Sequence, residues 1–357
     1  MNQKKKPDTV DLGLGQLLLP SPQILRQAGA DSFSSGSLGY SPTAGLPELR
    51  EAIAENYNLD QSTNFNADNV VVTNGGEHAL YCLAQALINP GDEILMPEIS
   101  YPAYPGIAKL FGAKTVEYKL TDSFNIDSED LSNKLSDKTK IIIINSPSNP
   151  AGAVSSPEEL KRIAKLVSDQ NSDIVILSDE VYSQLNYIRN KIESISKYYD
   201  NTSIISSISK QAAGAGVRIG WVIAPEEIIN QVNKIVQYSV TSAAVPNQKA
   251  VLAYLNSPSN GRTILDTLAT NRALVIEKFS GTSLQTAEPK GAFYYFADTS
   301  KHGKSQEVAD ALLKDKNVLV IPGIAFGKAG DKYIRISFGV KTEILEQGIL
   351  KIVEALG

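Results

Sequence analysis

The chain has 357 residues, 42% of them apolar and 20% charged, with a formal net charge of −5; that is the balance of a globular protein long enough for two packed domains. The acidic excess argues against a nucleic-acid or anionic-membrane surface, and no run approaches the roughly 20 apolar residues of a membrane span. One cysteine, Cys82, and two distant histidines, His78 and His302, exclude an intramolecular disulfide and leave no zinc-ligand spacing.

Taken in chain order, Lys4, Lys5 and Lys6 read as a solvated tail. Pro7, Asp8 and Asp11 follow where a signal peptide would need an apolar core, so a reducing, cytoplasmic setting is expected. The spacing predicts a helix over 46–57 with Pro47 near its start. A strand over 70–72 leads through Asn74-Gly75-Gly76 into an apolar helix over 77–88, which carries Cys82 as a buried thiol. Strands are predicted over 93–96, 141–145, 174–177, 204–208 and 219–224, with an amphipathic helix over 157–167. Ile/Val runs without polar alternation mark strands covered on both faces. Their alternation with helices predicts an α/β architecture, a mainly parallel sheet flanked by helices. Beyond residue 250 the texture changes to a long helical stretch, strands over 292–296, 318–321 and 333–338, and a helix from Thr342. The expected division is a large domain, 36–249, and a smaller α+β domain made of 1–35 with 250–357.

Ligands of open α/β sheets bind beyond the carboxyl ends of the strands, so the residues that follow each run matter most. Gly75-Gly76-Glu77 opens a helix, whose N–H groups suit a phosphate, although a plain turn has the same pattern. Tyr101 and Tyr104 follow the next strand and can either cover a flat heteroaromatic ring or simply pack. Asn149, in the proline-restricted N-S-P-S-N-P-A-G, can donate a side-chain hydrogen bond. Asp179 ends a buried strand and needs a cationic partner, a role that a protonated pyridine nitrogen would fill. Lys210, in S-I-S-K, sits where loss of its proton would let it form an imine. Arg218 follows a glycine-rich bend and can clamp a phosphate.

These segments, with L-G-L-G-Q, Y-S-P-T-A-G-L-P-E-L-R, N-G-G-E-H-A-L, S-D-E-V-Y, G-V-R-I-G-W and Y-I-R-I-S-F, stand in the order found in the fold-type I, class I/II pyridoxal-phosphate-dependent aminotransferases. The chain resembles that family from about Asp11 to Phe338, and the resemblance implies that the mainly parallel sheet of the large domain has seven strands. The resemblance implies an enzyme of amino-acid metabolism and biosynthesis. Such an enzyme moves an amino group between an L-amino acid and a 2-oxo acid through Schiff-base intermediates on pyridoxal 5'-phosphate (PLP). It implies Lys210 as the Schiff-base lysine and proton shuttle, Asp179 as the partner of the pyridine nitrogen, and Asn149 and Tyr182 as donors to the 3-hydroxyl oxygen. Tyr101 takes the place of the ring-stacking aromatic. Gly76, Glu77, Ser207 and Arg218 take the phosphate cup. Tyr40 matches a tyrosine that reaches the neighbouring subunit's phosphate, which implies a homodimer with shared sites. Arg335 and Gly15 match the residues around the substrate, Arg335 gripping its α-carboxylate.

Glu77 departs from one bacterial branch, similar to aspartate aminotransferase, that has a lysine there for a distal carboxylate. It serves either the helix dipole or a preference for neutral or basic side chains. Phe326 is a candidate lining residue, while Tyr294 and Tyr295 are read as small-domain core. A β-lyase or an amino-acid-modifying synthase shares every one of these motifs.

Overall fold

The computed structural model describes residues 6–35, 38–188, 190–257 and 261–357, so Lys4 and Lys5 lie outside the described residues. After β1 (Val10–Asp11) the chain reaches a seven-stranded sheet. Its strands are β2 (Val70–Thr73), β3 (Glu93–Pro97), β4 (Lys114–Tyr118), β5 (Thr139–Asn145), β6 (Val175–Asp179), β7 (Thr202–Ser207) and β8 (Gly220–Ile223). Their spatial order is β2-β8-β7-β6-β5-β3-β4. Pairing is parallel along β7-β6-β5-β3-β4, whereas β8 runs antiparallel to both β2 and β7.

Successive strand side chains point to opposite faces, and both faces of this sheet are covered. Ile141 and Ile143 of β5 join one apolar cluster with Val71, Leu83 and Val232. Ile142 and Ile144 join another with Leu160, Ile163 and Ile176. Along β2, Val71 packs on the first face while Val70 and Val72 meet Trp221 and Tyr254 on the opposite one. Helices over these faces start where local chemistry dictates. Pro157–Gln170 begins with a capping box in which the Ser156 hydroxyl accepts from the Glu159 N–H and the Glu159 carboxylate accepts from the Ser156 N–H, satisfying two otherwise orphaned donors. Pro47–Gln61 begins with proline, whose missing N–H costs nothing in the first turn.

β4 has no counterpart in the sequence reading. It is an edge strand, paired only with β3, and its K-T-V-E-Y is mostly solvent-exposed, so no apolar run marks it. The predicted strand over 318–321 proves to be two short ones. β9 (Tyr294–Asp298), β11 (Ile321–Pro322) and β12 (Tyr333–Ser337) form an antiparallel sheet in the order β11-β12-β9, while β10 (Val318–Leu319) pairs with β1 instead. These strands share a core with the helices Arg262–Phe279, Ser305–Lys316 and Thr342–Leu356.

Behind the end of β6, facing away from the cavity described below, Glu180 is a buried acid. Its carboxylate accepts hydrogen bonds from Ser178 at 2.8 Å, from Ser194, and from Tyr57 at 3.3 Å. Burial pushes its pKa up to about 7 despite those donors. A folded-state value above that of the unfolded chain means that stability is lost as pH rises from the ordinary glutamate range through 7. Glu180→Gln is therefore expected to match the parent near pH 5 and to exceed it near pH 8 by on the order of 2–3 kcal/mol in urea unfolding. Parallel pH profiles for the two proteins would contradict this.

Candidate active site

The parallel strands deliver the ends of β5, β6 and β7 to one edge of the sheet. The reversal of β8 brings its beginning to that same edge, since Gly220 pairs with Ser207 on one side and Thr73 on the other. Arg218, two residues before Gly220, thus arrives beside the Gly75-Gly76 turn. The approach is close enough to demand glycine. A Cβ on Gly75, whose φ is +86°, would lie 2.5 Å from an Arg218 guanidinium nitrogen. Arg218 itself has φ +55°, a left-handed backbone that a bulky residue seldom adopts. Its guanidinium is fixed by the carbonyls of Ala215 and Asn74 at 2.9 and 3.2 Å.

Together these elements enclose a cavity of about 470 Å³, within the size range of cofactor sites. Its walls hold Gly15, Gly76, Glu77, Tyr101, Asn149, Asp179, Tyr182, Ser207, Lys210, Arg218 and Arg335. Of the residues assigned to the cofactor or substrate by the resemblance, Tyr40 stands elsewhere, on the surface and 88% exposed.

The two strand ends are tied together. Asn145 accepts from the Asn149 N–H at 2.8 Å and donates its amide to the Asp179 carbonyl at 3.0 Å. The Asp179 carboxylate is buried and accepts from the Tyr104 hydroxyl at 2.6 Å and from the Val181 N–H at 3.3 Å. Burial pushes its pKa up, Tyr104 and Val181 pull it down, and Lys210 is the favourable charge it feels. No lysine or arginine among the described residues forms an ion pair with it. Tyr104 is therefore part of the site. In the sequence it is one of two tyrosines after a strand, and no local signal marks its reach to Asp179.

Lys210 sits in a four-residue helix, Ile208–Gln211, capped by the Ser207 hydroxyl, which accepts from the Ser209 N–H. Its ammonium donates to the Gly15 carbonyl. Burial lowers its pKa to about 8, with Arg335 and Arg218 acting the same way and Asp179 opposing them. Across the cavity, Arg335 on β12 is buried. It donates to Asn149 Oδ1 at 2.9 Å and to the Gly13 carbonyl at 2.7 Å. Asn149 Oδ1 is thus occupied, which leaves its amide N–H groups as the donors for the cavity. The Arg335 guanidinium carbon lies 4.4 Å from the Tyr294 ring centroid and 4.9 Å from that of Phe326, and its buried Nε has no hydrogen-bond partner among the described residues. An orphaned donor on a fixed guanidinium calls for an anion.

Tyr294 is small-domain core as read, its ring fully buried, yet it also lines the cavity, its hydroxyl 3.0 Å from that of Tyr182. Four successive aromatic residues, Phe293 to Phe296, conceal which of them faces a site. Tyr295 does remain core, its hydroxyl accepting from the Thr286 N–H. Phe326 lines the cavity.

Comparison with known proteins places this geometry. The model of the family described as aminotransferase class I and II matches residues 7–352. A probable aspartate aminotransferase of Methanocaldococcus jannaschii is 35% identical over 96% of this chain and 93% of its own. An aspartate aminotransferase of Pyrococcus horikoshii is 34% identical over 99% and 92% respectively. The crystal structure of an aromatic aminotransferase from Pyrococcus horikoshii superposes with a TM-score of 0.93 at 31% identity, covering 98% of this chain and 96% of that one.

Proposed function

The chain belongs to the aminotransferase class I and II family, and from that premise we propose that the cavity at the strand ends holds PLP and that the residues lining it divide the work of transamination. The family is PLP-dependent, and the enzyme is a transaminase acting on an amino acid and a 2-oxo acid. The observation that carries the assignment to this cavity is the buried carboxylate of Asp179 and the desolvated amine of Lys210 facing the same space.

The residues present fit the cofactor. Asp179 lacks an ion-pair partner among the described residues, and a protonated pyridine nitrogen supplies one. The amides at the start of the helix Gly76–Leu87, the Ser207 hydroxyl and Arg218 form a cup for a phosphate. Tyr101 offers a ring face, Asn149 an amide and Tyr182 a phenol. When bound, PLP supplies an electron sink for the pair left when the substrate's Cα–H bond breaks. What remains falls to this chain's own groups. Lys210, with its pKa near 8, holds a proton weakly enough near neutrality for its Nζ to take one from the substrate Cα and return it elsewhere. Arg335 receives the α-carboxylate on its guanidinium and so orients the Cα–H bond. Asp179 holds negative charge where the heterocycle carries positive charge.

In the same reading the enzyme is a homodimer. Tyr40, 88% exposed on one chain, reaches the phosphate cup of its partner. The large and small units are 36–249 and 1–35 with 250–357, and the setting is cytoplasmic amino-acid biosynthesis. The test is a half reaction. Holoenzyme given an amino acid and no acceptor should pass one amino group per site to its cofactor and give it up only to an added 2-oxo acid. Ammonia and pyruvate released without an acceptor would point to a lyase.

The donor's side chain is the finer question. Glu77 accepts from the Tyr101 hydroxyl at 3.2 Å and takes part in no ion pair among the described residues. A carboxylate at the rim of this cavity repels a second acidic group. Glu77→Gln is expected to raise kcat/KM for aspartate about three- to tenfold and to leave that for a neutral amino acid within twofold. Aspartate emerging as the parent enzyme's best donor would overturn this reading.

A further inference from the structure

Tyr294 touches both halves of the site. Its hydroxyl lies 3.0 Å from that of Tyr182, and the two rings meet edge to face with centroids 5.7 Å apart. Its ring face carries the Arg335 guanidinium at 4.4 Å. A Cβ built on Gly15 would come within 3.3 Å of its hydroxyl, and the Gly15 carbonyl is the acceptor for Lys210. One fully buried side chain therefore adjoins the phenol on the cofactor side, the guanidinium on the substrate side and the backbone that receives the lysine.

We propose that Tyr294 is a positioning residue: its hydroxyl donates to the Tyr182 oxygen, turning the Tyr182 proton into the cavity, and its ring fixes the plane of Arg335 for the substrate carboxylate. This rests on the reading of the cavity as a PLP site. Two phenols in contact share one proton between them. If Tyr182 were the donor, its only proton would be spent on Tyr294 and none would face the cavity. The surroundings favour the opposite direction. The Arg335 guanidinium lies face-on against the Tyr294 ring at 4.4 Å, where it favours charge on that phenol; burial raises both phenols and Arg335 lowers both, but Tyr182 is raised further by Tyr294 itself and by Asp179, so Tyr294 is the better donor. Below the ring, the guanidinium lies between Tyr294 and Phe326, the face-on contact that suits a planar cation.

The two roles separate by substitution. Tyr294→Phe keeps the ring and removes the hydroxyl. We expect kcat to fall about tenfold, KM for amino acids to stay within twofold, and the pH midpoint of the holoenzyme's visible absorption to move by about one unit, the equivalent of a tenfold change. The charged and titratable groups bearing on that midpoint are Tyr182, Asp179, Tyr104, Lys210, Arg218, Arg335, Tyr101 and Glu77, none of which the variant removes. Tyr294→Leu removes the ring as well and should add at least a tenfold rise in KM. In a Tyr182→Phe background, Tyr294→Phe should have no further effect on kcat or on the midpoint, because the hydroxyl acts through Tyr182. A visible band present but unmoved in Tyr294→Phe, or full additivity with Tyr182→Phe, would overturn the proposal while leaving the PLP reading intact. A parent protein with no PLP-dependent visible band would overturn that reading instead.

Discussion

Replacing Lys210 by methionine is expected to lower transamination by at least about 10⁴-fold and, at neutral pH, to make the protein without cofactor more stable. Both effects come from one property. The amine is held where water is scarce, close to the Arg335 and Arg218 guanidinium groups, and its pKa falls to about 8. A lysine whose folded-state value lies below its unfolded value disfavours folding wherever it must carry its charge. The penalty is fully present below pH 8 and disappears as pH rises through the ordinary lysine range near 10.5. Its size is on the order of 3 kcal/mol. Methionine keeps the apolar stem without the charge, so urea unfolding of Lys210→Met should show a gain at pH 7 that shrinks toward pH 10.5. The same protein mixed with PLP should lack the parent's visible band. Retained turnover would remove Lys210 from the chemistry, and a stability gain independent of pH would show that the gain came from packing.

How far such a site can be read from sequence depends on which signals are local. The Ile/Val runs of β2, β5, β6 and β7 announce strands buried on both faces, and chemistry-bearing residues follow directly at their ends: Asn149 after β5, Asp179 closing β6, Lys210 after β7. The edge strand β4 carries lysine, threonine and glutamate toward solvent, so its pairing partner rather than its composition makes it a strand. The reversal of β8 is equally silent, because an apolar run of four residues reads the same in either direction. Yet that reversal is what carries Arg218 to the ends of β2 and β7. Tyr104 and Tyr294 were hidden for a related reason. A tyrosine in an apolar segment looks like core, and both rings are core here, but each hydroxyl reaches across a contact far apart in the chain, to Asp179 and to Tyr182. Tyr40 belongs to a different case. Its exposure on a single chain has meaning only in the homodimer proposed above.

Arg335→Leu should have the second largest effect, and it should act on substrates rather than on the cofactor. In the parent, the Asn149 side-chain oxygen and the Gly13 carbonyl hold two corners of the guanidinium at 2.9 and 2.7 Å, Tyr294 and Phe326 hold its faces, and Nε has no hydrogen-bond partner among the described residues. A cation fixed on so many sides has lost its rotamer freedom before any substrate arrives, which is what makes its grip on a carboxylate strong. Loss of one member of a buried charge pair typically costs 2–5 kcal/mol. We therefore expect kcat/KM for α-amino acids to fall about 10²- to 10³-fold, chiefly through KM, with a smaller loss in kcat because the Cα–H bond is no longer aligned. PLP should still bind and give its visible band, since none of the phosphate-cup residues is touched. The deciding comparison is a primary amine without a carboxylate. Its slow reaction should lose far less than that of the amino acid, because the guanidinium bears on it only through Lys210 and Asn149. An equal loss for the amine and the amino acid would mean that leucine had collapsed the cavity, leaving Asn149 Oδ1 and the Gly13 carbonyl without donors, and that carboxylate recognition lies elsewhere.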